Sequence, residues 1–263
     1  MHVSSLGYRT DLIFAAFDGE IVDRGEYLVV RTPANPTFYW GNFLLFAEPP
    51  QEGDFRLWRA LFAQEIGSLP GIEHQAFGWD TPQGEEGFVQ PFLDAGFRLD
   101  RGVVLTATRP HHQSRPAMAV DVRILTTEAD WQQEVENQVA CRDDEFEAVG
   151  YRVFRQRQAI RNRKMVESGL GGWYGAFVGE RLVADLGVFV DREVGRYQSV
   201  CTHPEFRRRG IGGALVVDAG RQVMAERNLE KLVIVADDDS SGLRLYKSLG
   251  FQPMERQIGL VLW

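Results

Sequence analysis

The stretch that most constrains this chain is Ser199–Val217, SVCTHPEFRRRGIGGALVV. An alternating run ending near Thr202 reads as a strand, and Pro204 sits in the loop behind it. Arg207, Arg208 and Arg209 then lead into Gly210-Ile211-Gly212-Gly213, which opens an apolar helix. Glycines there let the backbone approach an anion closely. The N–H groups and dipole of the first helical turn favour a pyrophosphate, and the arginines add charge. Two other phosphate loops are excluded. A Walker A loop needs Gly-Lys-Ser/Thr, whereas Gly212 is followed by Gly213-Ala214. A dinucleotide fingerprint needs a small residue at position 215, which is Leu215.

The surrounding pattern is that of an α/β sheet. Upstream, Val120–Leu125 alternates as a strand, and Thr127 with Asp130 reads as a helix N-cap and capping box ahead of Trp131, Val135 and Val139. The acidic run Asp143–Glu147 reads as a loop or helix start. A second helix is expected over Arg152–Val166, its many arginines forming an exposed face. Strands are expected at Trp173–Val178, Leu182–Val190 and Arg196–Thr202, with Gly179-Glu180 as a hairpin turn. Downstream, a helix over Gly210–Arg227 precedes a buried strand at Lys231–Ala236. A helix over Ser240–Leu249 closed by Gly250 and a last strand at Gln257–Trp263 follow.

At 263 residues the chain exceeds an ordinary domain of ~100–150 residues, so two domains are expected. Arg109–Ala117, with two prolines and no apolar period, has linker composition and puts the boundary between 116 and 117. Before it, strands are expected at Tyr27–Arg31, Phe43–Phe46 and Val103–Thr108, and helices at Phe55–Ile66 and Phe88–Ala95. Leu93–Phe97 (LDAGF) parallels Lys247–Phe251 (KSLGF), each a helix end before a final strand, which points to two copies of one fold. The net charge of −8 argues against nucleic acid and favours a cationic substrate. Cys141 and Cys201 are not a Cys-x-x-Cys pair, so neither a disulfide framework nor a zinc site is expected. The start lacks a basic, uninterrupted apolar leader, and no run reaches the ~18 apolar residues of a membrane span. A soluble, cytoplasmic protein without membrane contact is the expectation.

Arg207-x-x-Gly210-x-Gly212, with a strand before it and a helix after, resembles the coenzyme A signature Arg/Gln-x-x-Gly-x-Gly/Ala of the GNAT superfamily of N-acyltransferases. Leu245-Tyr246-Lys247-Ser248-Leu249-Gly250-Phe251 is similar to that family's Leu-Tyr-x-x-Leu-Gly-Phe helix end. The family's usual Asn is replaced by Asp239, and its usual Ala by Gly242. The resemblance spans Val120–Trp263 and implies a mixed, mostly antiparallel sheet flanked by helices. It places an acyl-CoA-binding catalytic domain at 117–263. The segment 1–116, with no Arg-x-x-Gly-x-Gly, resembles a degenerate second copy.

The resemblance implies direct acyl transfer, acetyl by default, from acetyl-CoA or another acyl-coenzyme A to a primary amine. The acceptor is a small molecule or peptide, no metal takes part, and a homodimer is compatible with it. Val200, Cys201 and Thr202 on a splayed strand, Arg207 to Gly213, and Asp239 and Tyr246 are implied in holding the coenzyme. Tyr246 is the implied general acid to the departing thiolate, a core tyrosine being the alternative. Asp185, a charge within the apolar strand LVADLGVFV, is the candidate base, with an edge or structural role as the alternative. His203 is a titratable neighbour on the loop side. A coenzyme A-binding sensor without catalysis, and a transferase of aminoacyl or peptide-like groups, are the competing readings.

Overall fold

The computed structural model describes residues 1–112 and 118–263. Residues 113–117 of the expected linker, and with them the expected boundary at 116 and 117, lie outside the described residues.

Helix caps fix the start of the C-terminal half. Helix α4 (Glu128–Ala140) opens with the capping box read from the sequence: Asp130 N–H donates to Thr127 Oγ1, and Thr127 N–H donates to Asp130 Oδ2. Arg123 adds a two-pronged ion pair to the same carboxylate, so Asp130 is held well below the usual carboxylate range by that guanidinium and by the loop amides. Helix α5 (Ala148–Glu167) begins on Glu147, whose carboxylate accepts from Val149 and Gly150 N–H.

The chain divides into two units. The second comprises Leu105–Ile234 and Ser241–Pro253. Its strands are β6 (Asp121–Ile124), β7 (Gly171–Val178), β8 (Arg181–Asp191), β9 (Val194–Thr202) and the start of β10 (Lys231–Asp237), in the order β10-β9-β8-β7-β6. All neighbours are antiparallel except β9 and β10. Gly179, at φ 61°, makes the two-residue turn between β7 and β8. The pleat sends Trp173 and Asp185 toward α4. Tyr197 points to the other face, where its hydroxyl donates to Val216 O of α6 (Ile211–Arg227) at 2.6 Å. Helices therefore cover both faces of this sheet.

The first unit comprises Met1–Val104, Val235–Ser240 and Met254–Trp263. It contains α1 (Leu6–Asp18), β1 (Glu20–Asp23), β2 (Tyr27–Arg31), β3 (Phe43–Phe46), α2 (Asp54–Glu65), β4 (Gln75–Trp79), α3 (Gln90–Asp94) and most of β5 (Arg98–Ala107). Its strand order is β1-β2-β3-β4-β11-β5, where β11 is Gln252–Leu262. β11 pairs antiparallel with β4, Leu260 opposite Phe77. One face packs an aromatic core against α2, in which Phe46 stacks on Trp58 at 3.8 Å. The other face packs Leu28, Val30 and Val261 with Tyr8 of α1. Sequence reading did not find α1, β1 or β4. It also gave the end of the chain to the C-terminal domain, whereas Met254–Trp263 belongs to the first unit.

The two Gly-Phe helix ends have the same geometry. Gly96 (φ 92°) follows α3, and Gly250 (φ 94°) follows α7 (Ser241–Ser248). Phe97 N–H donates to Phe92 O at 3.0 Å and Phe251 N–H to Tyr246 O at 3.1 Å, the long closing bond of a Schellman motif. Each phenylalanine is then buried in its own unit's core.

Candidate functional site

The phosphate loop read from the sequence runs from the end of β9 into α6. After Thr202 the chain makes a short 3-10 turn, Pro204–Phe206, then passes through left-handed backbone at Arg208 (φ 62°) and Gly210 (φ 78°). Among the described residues no side chain caps α6, and the first amides of a helix have no acceptor within it. Arg207, Arg208, Arg209 and Gly210 are exposed, while Ile211 anchors the turn in the core. Two arginines also brace the loop. Arg207 Nε donates to Thr202 O at 3.1 Å, and Arg209 Nη2 donates to Glu205 O at 3.0 Å. A Cβ on Gly212 would stand 2.9 Å from Thr202 Oγ1, so the first turn of α6 approaches the end of β9 closely and has no room there for a side chain. A Cβ on Gly213 would only touch Leu245 and Leu249, both at 3.5 Å, which places α7 against the start of α6.

β9 departs from regular pairing where the loop begins. Gly187 faces Gln198 and Asp185 faces Cys201, so Leu186 stands against two residues, Ser199 and Val200. This is a β-bulge, with Ser199 at φ 50°. On the other side, β10 pairs with β9 only from Val194 to Arg196. From Tyr197 to Thr202, β9 therefore presents an edge that this register leaves without a β10 partner. The splay expected over Arg196–Thr202 begins only at Tyr197, since Arg196 still pairs with Val233.

A buried polar cluster, which sequence reading missed apart from Asp185, holds the bulge from the α4 side. Asp185 is fully buried. It accepts from Asn137 Nδ2 at 2.6 Å, Gln138 Nε2 at 2.6 Å and Trp173 Nε1 at 3.1 Å. Burial raises its pKa while these donors pull it down. Gln138 Nε2 also donates to Ser199 O at 2.7 Å, and Arg155 Nη1 donates to Ser199 Oγ at 3.2 Å. Arg155 Nη2 donates to Glu134 Oε1 at 2.8 Å. Burial pushes Glu134 up to about 7, Arg155 opposing and the Asp185 charge adding. Glu134 Oε2 is buried without a hydrogen-bond partner among the described residues.

Arg155 and Arg161 are buried, so the expectation that the arginine helix is an exposed face is corrected. Arg155 turns inward to meet a buried carboxylate, whereas Arg152 and Arg163 do lie outside, paired with Glu136 and with Glu128 and Glu167.

Cys201 lies beside Asp185. Its Sγ accepts from Asn137 Nδ2 at 3.1 Å and stands 3.6 Å from Asp185 Oδ2. Tyr246 is on α7 at 7% exposure, its ring near Phe251. Leu245, its neighbour in sequence, reaches Gly212 and Gly213 of the loop. Val200, Cys201, Thr202, the Arg207–Gly213 segment, Asp185 and Tyr246 thus share one unit. Asp239 is described in the other unit, in a turn after β10 at φ 60°. His203 accepts from Glu205 N–H at Nδ1, a loop brace. His112 meets Asp218 at 3.0 Å. Among the described residues no group of three or more His, Cys, Asp or Glu is placed to hold a metal, and no helix is long and apolar enough to cross a membrane.

Residues 173–258 match the family described as FR47-like protein. Among solved structures, a GCN5-related N-acetyltransferase from Kribbella flavida superposes with a TM-score of 0.61 at 16% identity, covering 98% of this chain and 95% of that one. The chain has the fold of the GNAT superfamily. A conserved protein of unknown function from Staphylococcus epidermidis ATCC 12228 matches with a TM-score of 0.69 at 13% identity, over 93% of this chain and 94% of its own. A tandem GNAT protein from the clavulanic acid biosynthesis pathway matches with a TM-score of 0.50 at 14% identity, over 78% of this chain and 69% of its own. No curated protein matches the sequence. At these identities the likeness carries the GNAT fold, and the chemistry rests on the residues.

Proposed function

We propose that the second unit binds acyl-coenzyme A, acetyl-CoA by default, and transfers its acyl group directly to a primary amine. The observation that carries this reading is the uncapped start of α6, flanked by exposed arginines and a bare Gly212, at the end of a splayed strand. The residues fit the group: Arg207 to Gly213 would take the pyrophosphate, and the free edge of β9 would take the amide groups of the pantetheine arm. The coenzyme supplies a thioester, whose carbonyl is open to an amine.

In this reading a backbone N–H near Val200, fixed by the bulge, stabilises the oxyanion that develops on that carbonyl. Tyr246 gives its phenolic proton to the departing sulfur. The amine must first lose a proton. Asp185 is one candidate to receive it, but both its oxygens already accept from N–H donors. Glu134 is a second candidate, with an Oε2 that no described residue partners, although it is fully buried and paired with Arg155. The net charge of −8 favours a cationic small molecule or peptide as acceptor. The matching Gly-Phe helix ends support a tandem origin in which the first unit, without an Arg-x-x-Gly-x-Gly loop, binds no coenzyme. One observation favours a non-catalytic coenzyme sensor instead, namely the burial of Tyr246.

Calorimetric titration with coenzyme A, followed by acetyl-CoA turnover over a panel of amines, tests the proposal. One equivalent should bind per chain. Gly212→Glu, which puts a carboxylate beside the first turn, should weaken binding more than tenfold, ~1.4 kcal/mol or more. Unchanged affinity in a folded Gly212→Glu variant would remove the pyrophosphate assignment. Tight binding with no turnover on any amine would favour the sensor.

A further inference from the structure

Ser199 lies in the bulge of β9 and stands in left-handed backbone at φ 50°, a conformation uncommon for residues other than glycine. Two side chains from outside the sheet hold it there. Gln138 Nε2 of α4 donates to Ser199 O at 2.7 Å, and Arg155 Nη1 of α5 donates to Ser199 Oγ at 3.2 Å. The same Gln138 nitrogen donates to Asp185 Oδ1 at 2.6 Å, and the residue is buried. Both hydrogens of one amide nitrogen are thus engaged, one toward β8 and one toward β9. Turning the amide over would set its oxygen against two acceptors, so its orientation is fixed.

The carbonyl that Gln138 holds belongs to the same peptide unit as the Val200 N–H. That unit is planar and trans, so its C=O and N–H point in opposite directions. Holding Ser199 O toward α4 therefore turns the Val200 N–H away from α4 and Asp185. A hydrogen bond accepted at the carbonyl also polarises the N–H of the same unit. We propose that Gln138 is a positioning residue for acyl transfer, aiming and polarising the Val200 N–H at the thioester oxygen; this rests on the acyl-transfer reading above. Asp185 serves as the anchor of the Gln138 amide, itself held by Asn137 Nδ2 at 2.6 Å and Trp173 Nε1 at 3.1 Å.

Gln138 acts through Val200, so its loss should fall on kcat. An oxyanion donor is worth ~10²–10³-fold in kcat, and one left in place but badly aimed should forfeit ~tenfold or more. The Arg207–Gly213 segment keeps its own braces, Arg207 to Thr202 O and Arg209 to Glu205 O. Coenzyme A affinity should therefore stay within ~twofold.

The test compares two variants of the full-length chain. Gln138→Met keeps the length of the side chain and removes both hydrogen bonds. Trp173→Phe removes a different donor to Asp185 and leaves the bridge to Ser199. In isotope-labelled protein without coenzyme, the Val200 amide NMR resonance should move in Gln138→Met and hold its place in Trp173→Phe. With acetyl-CoA and an amine from the panel, Gln138→Met should lose ~tenfold or more in kcat at nearly unchanged coenzyme A Kd. Trp173→Phe should keep more than half of kcat even where its Tm is lower. The infrared carbonyl stretch of bound, labelled acetyl-CoA reads the same aim without turnover, and should lie lower in the wild type than in Gln138→Met. If Gln138→Met does not fold, adding Ser199→Gly, which accepts left-handed backbone, should recover the fold and not kcat. An unmoved Val200 resonance, an unmoved carbonyl stretch, equal kcat losses in both variants, kcat retained in Gln138→Met, or a double variant that still fails to fold would overturn the positioning role and leave acyl transfer standing. A wild type that binds no coenzyme A would instead remove the acyl-transfer reading, and the role with it.

Discussion

Replacing Arg155 with methionine should destabilise the protein by an amount that depends on pH. Arg155 is buried, and methionine keeps much of its aliphatic stem, so the change is mainly electrostatic. Losing one partner of a buried ion pair typically costs ~3–5 kcal/mol, because the other charge is left uncompensated. Glu134 can avoid part of that by binding a proton. In the wild-type fold it titrates at about 7, against an ordinary value of 4.5 in the unfolded chain. Between those two values the folded state holds a proton that the unfolded state has released. Wild-type stability therefore falls with rising pH in that window and levels off above it. Without Arg155 the folded pKa moves higher, and the fall continues beyond pH ~7 at ~1.4 kcal/mol per pH unit. Near pH ~5 Glu134 is protonated in both folded proteins, and the variant should lose only the hydrogen bonds of a charged donor, ~1.5–3 kcal/mol. Near pH ~8 the deficit should be ~1 kcal/mol or more larger. Urea denaturation at both pH values measures this, and a Glu134→Gln, Arg155→Met double variant should lose the pH dependence. A deficit equal at both pH values, or one that keeps its slope in the double variant, would refute the assignment of the charge to Glu134.

Two further outcomes are expected. Tyr246→Phe should lower kcat at least ~tenfold in steady-state assays limited by chemistry while coenzyme A affinity stays within ~twofold; a lower Tm with kcat more than half of wild type would make Tyr246 a packing residue. Asp130→Asn should lower stability by ~1–2 kcal/mol at neutral pH through loss of the capping box and the Arg123 pair. Because the folded pKa of Asp130 is depressed, that contribution is full above its ordinary value of 3.8 and disappears as pH falls through the lower folded value. Thermal melts of both proteins at neutral pH and at pH ~2 should diverge at the first and approach each other at the second.

The Arg207–Gly213 turn into α6 was legible because its determinants are local. Gly210, Gly212 and the arginines lie within seven residues, and the left-handed turn at Gly210 follows from residue type. The capping box on Thr127 and the hairpin glycine Gly179 were readable for the same reason. The polar cluster was not, since Glu134, Arg155, Asp185 and Ser199 come together only in the folded sheet. One signal was present: Glu134, Asn137 and Gln138 follow helical spacing beside the apolar stripe Trp131, Val135, Val139, and such a band on an inward face asks for buried partners. Strand β4 escaped because Ala76 to Trp79 are all buried, which removes the alternation that marks a half-exposed strand. The pairing of β11 with β4 joins residues about 180 positions apart, and no local pattern encodes that.

That pairing also sets an order of events during synthesis. β11 lies between β4 and β5 in the first unit's sheet, yet about 150 residues separate it from β5 in the chain. While the ribosome makes those residues, at roughly 5–20 per second, β4 and β5 have emerged and wait with open edges. Several seconds of an unpaired, aromatic-rich sheet is a window for chaperones, and for aggregation if they are absent. The same delay keeps the nascent N-terminal segment, although it is made first, from completing its sheet before the other unit's residues have been translated.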